Sequence, residues 1–203
     1  MTAPALRGED EHAPRRRRPL RVAAVVVIAV LLGVLCVRHF VVQTFWVPSS
    51  SMAPTLEEGD VLLVDRTQRG TARRGEVVVF DGTGYFGPGQ DGRRYWVKRV
   101  IGVGGDRVRC CDDAGRITVD GAVLDEPYLA PGTAPSDVPF DVEVPDGAMF
   151  LLGDARADSA DSRDHLGSPG GGMVPRERVV GEVTRIVWPL ARSGQVPSIG
   201  SPG

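Results

Sequence analysis

Of the 24 lysines and arginines in this 203-residue chain, 23 are arginine and one, Lys98, is lysine. Arginine keeps its proton in a protein, whereas an ammonium moved out of water can fall far enough in pKa to serve as a neutral base. Lys98 sits in Tyr95-Trp96-Val97-Lys98-Arg99-Val100-Ile101, an apolar, strand-like run that offers such surroundings. The competing account is a compositional bias toward arginine that leaves one lysine over. Well upstream, Pro48-Ser49-Ser50-Ser51-Met52-Ala53-Pro54-Thr55-Leu56 follows an apolar run. A serine attacks an amide when a base takes its proton, donors meet the developing oxyanion and a further group orients the base. Histidine is the first base to test. His12 lies in the arginine-rich start and His39 at the end of the apolar run, so only His165 is placed for a triad against Lys98.

Three motifs then occur in order: Ser51-Met52-Ala53-Pro54-Thr55-Leu56, Lys98-Arg99-Val100-Ile101-Gly102, and Gly153-Asp154 followed by Ser159-Ala160-Asp161-Ser162-Arg163. Together they resemble the motifs of bacterial type I signal (leader) peptidases, over roughly Phe40 to Trp188, and three in order are far more specific than any one alone. The resemblance implies a mainly β domain of coiled antiparallel sheets. It also implies a membrane-bound serine endopeptidase that removes signal peptides from exported preproteins after small-x-small (Ala-x-Ala) sites, with no cofactor and no metal. By motif match, Ser51 would be the nucleophile and Lys98 the general base, and Ser49 would join the Ser51 backbone N–H as the oxyanion hole. Ser159 would orient the lysine, Asp161 and Arg163 would form a supporting ion pair, and Val47 and Val97 would wall the pockets for the small side chains.

The chain departs from the common Gly-Asp-Asn-Arg-Asp-Asn-Ser pattern at Ala155, Ala157 and Asp158, which inherit no role, and Gly104 stands where the family usually has Pro. Other readings of these segments are weaker. Asp154, Asp158, Asp161 and Asp164 lack the spacing of a calcium loop. The glycines at 102–105 lack the Lys-Ser of a phosphate-binding loop. A self-cleaving repressor of the related Ser-Lys class would need a DNA-binding segment. The alternative from another class is a non-catalytic, membrane-tethered β-domain that binds exported polypeptides.

The elements that must position these residues follow from composition. Residues 1 to 21 carry six arginines against three acids, a net +3, and the remainder carries −5, which argues against a nucleic-acid surface there. Residues 1–19 read as a disordered cytoplasmic tail. Val22 to Val37 are 16 uncharged residues, about 24 Å of helix. Extending the run to Val42 gives an expected transmembrane helix over 20–42, with the basic cluster inside and the domain outside the cell membrane. A cleavable signal is the rival, but no small-x-small pair follows the run. Membrane lipid and secretory preproteins are the expected partners.

The peptidase domain is expected over 43–190. Its strands read at Phe40–Val47, Val61–Val64, Glu76–Phe80, Tyr95–Val103, Val108–Cys111, Ile117–Val119, Ala122–Leu124, Val142–Val144, Ala148–Leu152 and Val179–Trp188. The glycine-dense segment 81–94 reads as a hairpin connection and 191–203 as a flexible tail. Adjacent Cys110 and Cys111 read as structural, in either redox state.

Overall fold

The computed structural model describes residues 17–86, 94–168 and 170–199. The chain divides into two compact units, 1–39 and 40–203. In the first, α1 (Arg17–Phe40) is a 24-residue helix, and its side chains from Arg21 to Leu35 are exposed. The expected helix is present. Among the described residues no helix is long and apolar enough to cross a membrane. Residues 1–16, most of the expected tail, lie outside the described residues.

The second unit is a mainly β domain of curled antiparallel sheets. Its strands are β1 (Val42–Trp46), β2 (Val61–Asp65), β3 (Val77–Asp81), β4 (Tyr95–Val103), β5 (Arg107–Cys110), β6 (Thr118–Val119), β7 (Ala122–Val123), β8 (Phe140–Glu143), β9 (Ala148–Leu152), β10 (Val174–Pro175), β11 (Val179–Trp188) and β12 (Gly194–Gln195). The larger sheet runs β1-β2-β11-β3-β4-β9-β10, with β12 added on β11, and the smaller runs β7-β6-β5-β8. Alternation explains β2, where Leu62 and Val64 are buried and their neighbours half-buried. β3 is buried at four successive positions, Val77 to Phe80, as suits a central strand covered on both faces.

Curling has a local cause. The register of β11 shifts against β2 between Val183 and Arg185 and again between Ile186 and Trp188, and against β3 between Val179 and Gly181. Each irregularity bends and twists the strand. Gly181 permits the close crossing, since a Cβ there would run into the Asp65 carbonyl. The curl brings Phe45 of the edge strand β1 against Tyr95 of β4, with ring centroids 5.5 Å apart, although three strands lie between them in the sheet order.

Apolar side chains fill three clusters. One holds Val47, Met52, Leu56, Leu62, Val64, Val77, Val79, Val183 and Ile186, beneath the serine loop. A second lies around Val78, Phe80, Val100 and Leu151. The third joins the small sheet to β4 and β9 through Val108, Phe140 and Phe150. Gly102 allows that approach, because a side chain there would meet Val108 and Val144. Cys110 and Cys111 form a disulfide at the end of β5.

One expectation falls partly outside the described residues and another needs adjustment. Residues 87–93 of the glycine-dense connection lie outside the described residues. The chain after residue 190 is not a loose tail as far as Ile199. β12 pairs with β11, the Val196 N–H donates to Thr184 O at 3.0 Å, and the Ile199 N–H donates to Gly75 O at 3.4 Å. Its Pro, Gly and Ser content hid these main-chain bonds, which need no particular side chain.

Candidate active site

β1 delivers the chain into the serine loop, and main-chain bonds fix the entry. Val47 N–H donates to Asp60 O at 2.8 Å, and Gly59 N–H donates back to Val47 O at 2.9 Å. Beyond it, Ala53 N–H donates to Ser50 O and Leu56 N–H to Met52 O, coiling residues 50–56. Met52 and Leu56, at 1% and 0% exposure, anchor this coil in the core. Ser51 is thereby held half-exposed on a fixed turn.

Lys98 reaches the same point from β4. It lies opposite Val78 of β3 and is 1% exposed. Its Nζ is 2.7 Å from Ser51 Oγ, and the Trp96 ring centroid is 5.8 Å from that nitrogen. Burial pulls the ammonium from its ordinary 10.5 down to about 8. Asp161 and Asp154 oppose the fall, Arg163 adds to it and Asp164 opposes it. A lysine in this state gives up its proton within reach of neutral pH, next to a serine hydroxyl. Ser49 Oγ donates to Ser51 Oγ at 3.3 Å, so both serines face one point.

Behind this pair lies an ionic layer. Asp161 accepts from Arg163 Nε and Nη2, both at 2.9 Å, and from Gly153 N–H at 3.1 Å. Ser159 Oγ donates to Asp161 Oδ2 at 2.9 Å. Among the described residues, Lys98 Nζ has Ser51 Oγ as its hydrogen-bond partner, so Ser159 meets the carboxylate rather than the lysine. Ala155 N–H donates to Ser51 O at 3.1 Å. Gly153 lies so close that a Cβ there would strike the Ser51 carbonyl and the Ser159 hydroxyl.

Sequence reasoning gave no role to Arg99 and Asp154. Arg99 is wholly buried and grips Asp154 through Nε at 2.9 Å and Nη2 at 2.7 Å. Its Nη1 donates to Gly75 O at 2.8 Å and Pro197 O at 3.0 Å, and its guanidinium lies 4.0 Å over the Tyr128 ring. Thr55 Oγ1 donates to Asp154 Oδ2 at 2.5 Å, tying the serine loop to the same pair. Strand alternation offered a signal, since Arg99 must face away from Lys98 into the apolar interior and there requires an acid.

The rival ligand sets lie elsewhere. His165 stacks on Phe86 with centroids 4.9 Å apart. Asp154 and Asp161 are paired with arginines, Asp158 accepts from Ser50, and Asp164 accepts from the Asp161 N–H. Those four carboxylates do not converge on a common point, and among the described residues no cluster fit for a metal occurs.

A cleft of about 860 Å³ opens over Ser51 and Lys98, with Val47 and Val97 in its walls. Two strand edges border it. Among the described residues, β1 pairs with β2 on one side alone, and β4 pairs with β9 only from Arg99 onward, leaving Tyr95 to Lys98 with β3 as their neighbour. An extended peptide between these edges could take hydrogen bonds from either.

The signal peptidase family, peptidase S26, matches residues 20–188. Signal peptidase I of Mycobacterium tuberculosis is 34% identical over 235 residues, covering 94% of this chain and 80% of that protein. Signal peptidase I T of Bacillus subtilis is 34% identical, covering 81% of this chain and 83% of its own length. The crystal structure of a signal peptidase I from Enterococcus faecalis is 25% identical, with a TM-score of 0.41 over 56% of this chain and 97% of that one. With a match that runs from the first turn of α1 to the last residue of β11, this chain belongs to the signal peptidase family, peptidase S26.

Proposed function

We propose that this chain, as a signal peptidase I, cuts exported preproteins with Ser51 as nucleophile and Lys98 as general base. The observation that carries the assignment is the 2.7 Å contact between Ser51 Oγ and the nitrogen of a lysine 1% exposed. Neutral Lys98 takes the Ser51 proton as Oγ bonds to the scissile carbonyl carbon. The Ser51 N–H and the Ser49 hydroxyl meet the oxyanion, each such donor being worth about 3 kcal/mol. Lys98 then protonates the leaving nitrogen, the C–N bond breaks, and an acyl-enzyme remains. Water, deprotonated by Lys98, releases the signal peptide and restores Ser51.

The substrate lies extended between β1 and Tyr95–Lys98, with Val47 and Val97 limiting the −1 and −3 side chains to small ones. Asp161 and Arg163 hold the Gly153 segment, and Ser159 acts on Lys98 through Asp161. The helix α1, with its flanking residues, anchors the domain in the cell membrane with the arginine-rich end cytoplasmic. Its uncharged Val22 to Val37 run supports this.

The test is cleavage of a preprotein whose signal ends in Ala-x-Ala. Ser51→Ala is expected to abolish product. The parent rate should fall below a pH of about 8, as Lys98 becomes protonated. Lys98→Arg should be inactive at every pH with its circular dichroism unchanged, and near-parental cleavage by that variant sinks the assignment.

A further inference from the structure

The cleft lining is chemically mixed. Phe45, Val47, Tyr95 and Val97 are apolar or aromatic parts of it. Asp158 and Ala160 also line it, and the Ser50 hydroxyl donates to Asp158 Oδ2 at 2.5 Å. This wall is fixed to the nucleophile's own backbone. Asp158 N–H donates to Ala155 O at 2.8 Å, and Ala155 N–H donates to Ser51 O at 3.1 Å. With the segment before the cut lying along β1 and Tyr95–Lys98, as proposed above, the segment after it is assigned to the wall formed by Ser50 and Asp158.

Asp158 also differs from its neighbours in charge balance. Asp154 and Asp161 are each locked to a guanidinium. Among the described residues no arginine pairs with Asp158, which is exposed and holds only the neutral Ser50 hydroxyl and its own main-chain bond. Arg94 and Glu58 also line the cleft, but Arg94 lies 3.4 Å from Asp81 and 4.7 Å over Tyr95. Glu58 follows the coil beyond Leu56, next to Gly59, whose N–H donates to Val47 O. Asn in place of Asp158, as in the common motif, would accept the same Ser50 bond without charge.

We infer that Asp158 is a specificity-determining residue for the leaving side of the cut, favouring preproteins with Lys or Arg in the first two positions after the scissile bond and disfavouring Asp or Glu there. The inference rests on the proposed Ser51–Lys98 cleavage and deepens it. An exposed carboxylate acts through a partly screened field, so the effect is a modest ratio that weakens with salt.

The experiment uses the full chain in detergent with three preproteins that differ only in those two positions: Lys-Lys, Ser-Ser or Glu-Glu. For the parent, kcat/KM should favour Lys-Lys over Glu-Glu by roughly tenfold at low salt, with attraction and repulsion each contributing. Asp158→Asn should bring the ratio close to one, and Asp158→Lys should invert it. The inference is overturned by a parental ratio near one, or by a ratio that survives in Asp158→Asn. Cleavage of Ser-Ser with no charge preference defeats this inference alone. No cleavage of Ser-Ser by the parent defeats the peptidase reading and this inference with it.

Discussion

Lys98 carries two burdens that pull in opposite directions. Its depressed pKa suits the proposed role of base, and the same depression is a folding penalty. The unfolded lysine titrates near 10.5 and the folded one near 8, so between those values the unfolded chain binds more protons and stability rises with pH. Below about 8 the penalty is full, and above about 10.5 it is gone. Lys98→Met should therefore be more stable than the parent at pH 7, by up to about 3 kcal/mol. The gain should shrink to nothing as pH approaches 10.5, as read from urea denaturation across pH. A constant gain would show that packing, not ionisation, sets the difference. Lys98 was legible in the sequence because it is unique and sits in an apolar run. Arg99 was harder to read, because one arginine among 23 carries no compositional signal and strand alternation does not name its acid, 55 residues away. Ser159 was placed near the lysine by motif, but that its hydroxyl meets Asp161 instead of Lys98 is decided by the Asp161–Arg163 geometry.

At the scale of elements, period and composition were sufficient for the strands. Tyr95–Val103, Ala148–Leu152 and Val179–Trp188 have the boundaries their patterns suggest. Pairing order was not legible: β11, late in the chain, inserts between β2 and β3, and no local pattern encodes a partner so distant. The segment 194–199 was missed for a related reason. It supplies Pro197 O to the buried Arg99 and the half-buried Val196 to the cluster under the serine loop. Ending the chain after Ser193 leaves one Arg99 donor short of a partner, a hydrogen bond to charge worth about 1.5–3 kcal/mol. That truncation should lower the unfolding midpoint accordingly, and an unchanged midpoint would mean that water replaces Pro197 without loss.

For the whole molecule, the two-unit division has a practical corollary. The unit 40–203 contains both sheets, all three apolar clusters and the complete Ser51–Lys98 site. A chain starting at Phe40 should fold and cleave a short soluble Ala-x-Ala peptide at a rate within a few-fold of the parent's. On preproteins held in vesicles it should be at least tenfold slower, since α1 no longer raises the local concentration. Equal rates on vesicles would remove the anchoring role. Membrane insertion was the part of the sequence reading that rested on the shortest evidence, a run of 16 uncharged residues.

In the proposed binding mode, the two open strand edges bordering the cleft also impose a schedule. A groove that reads a polypeptide as a single ribbon accepts no residue already committed to a helix or a sheet, and the first residues of the released product must pass through it as well. Clipping and folding of the exported chain thus become ordered in time. Whichever mature proteins begin with a rapidly formed element must either be cut first or carry a slack leader between the cut and that element.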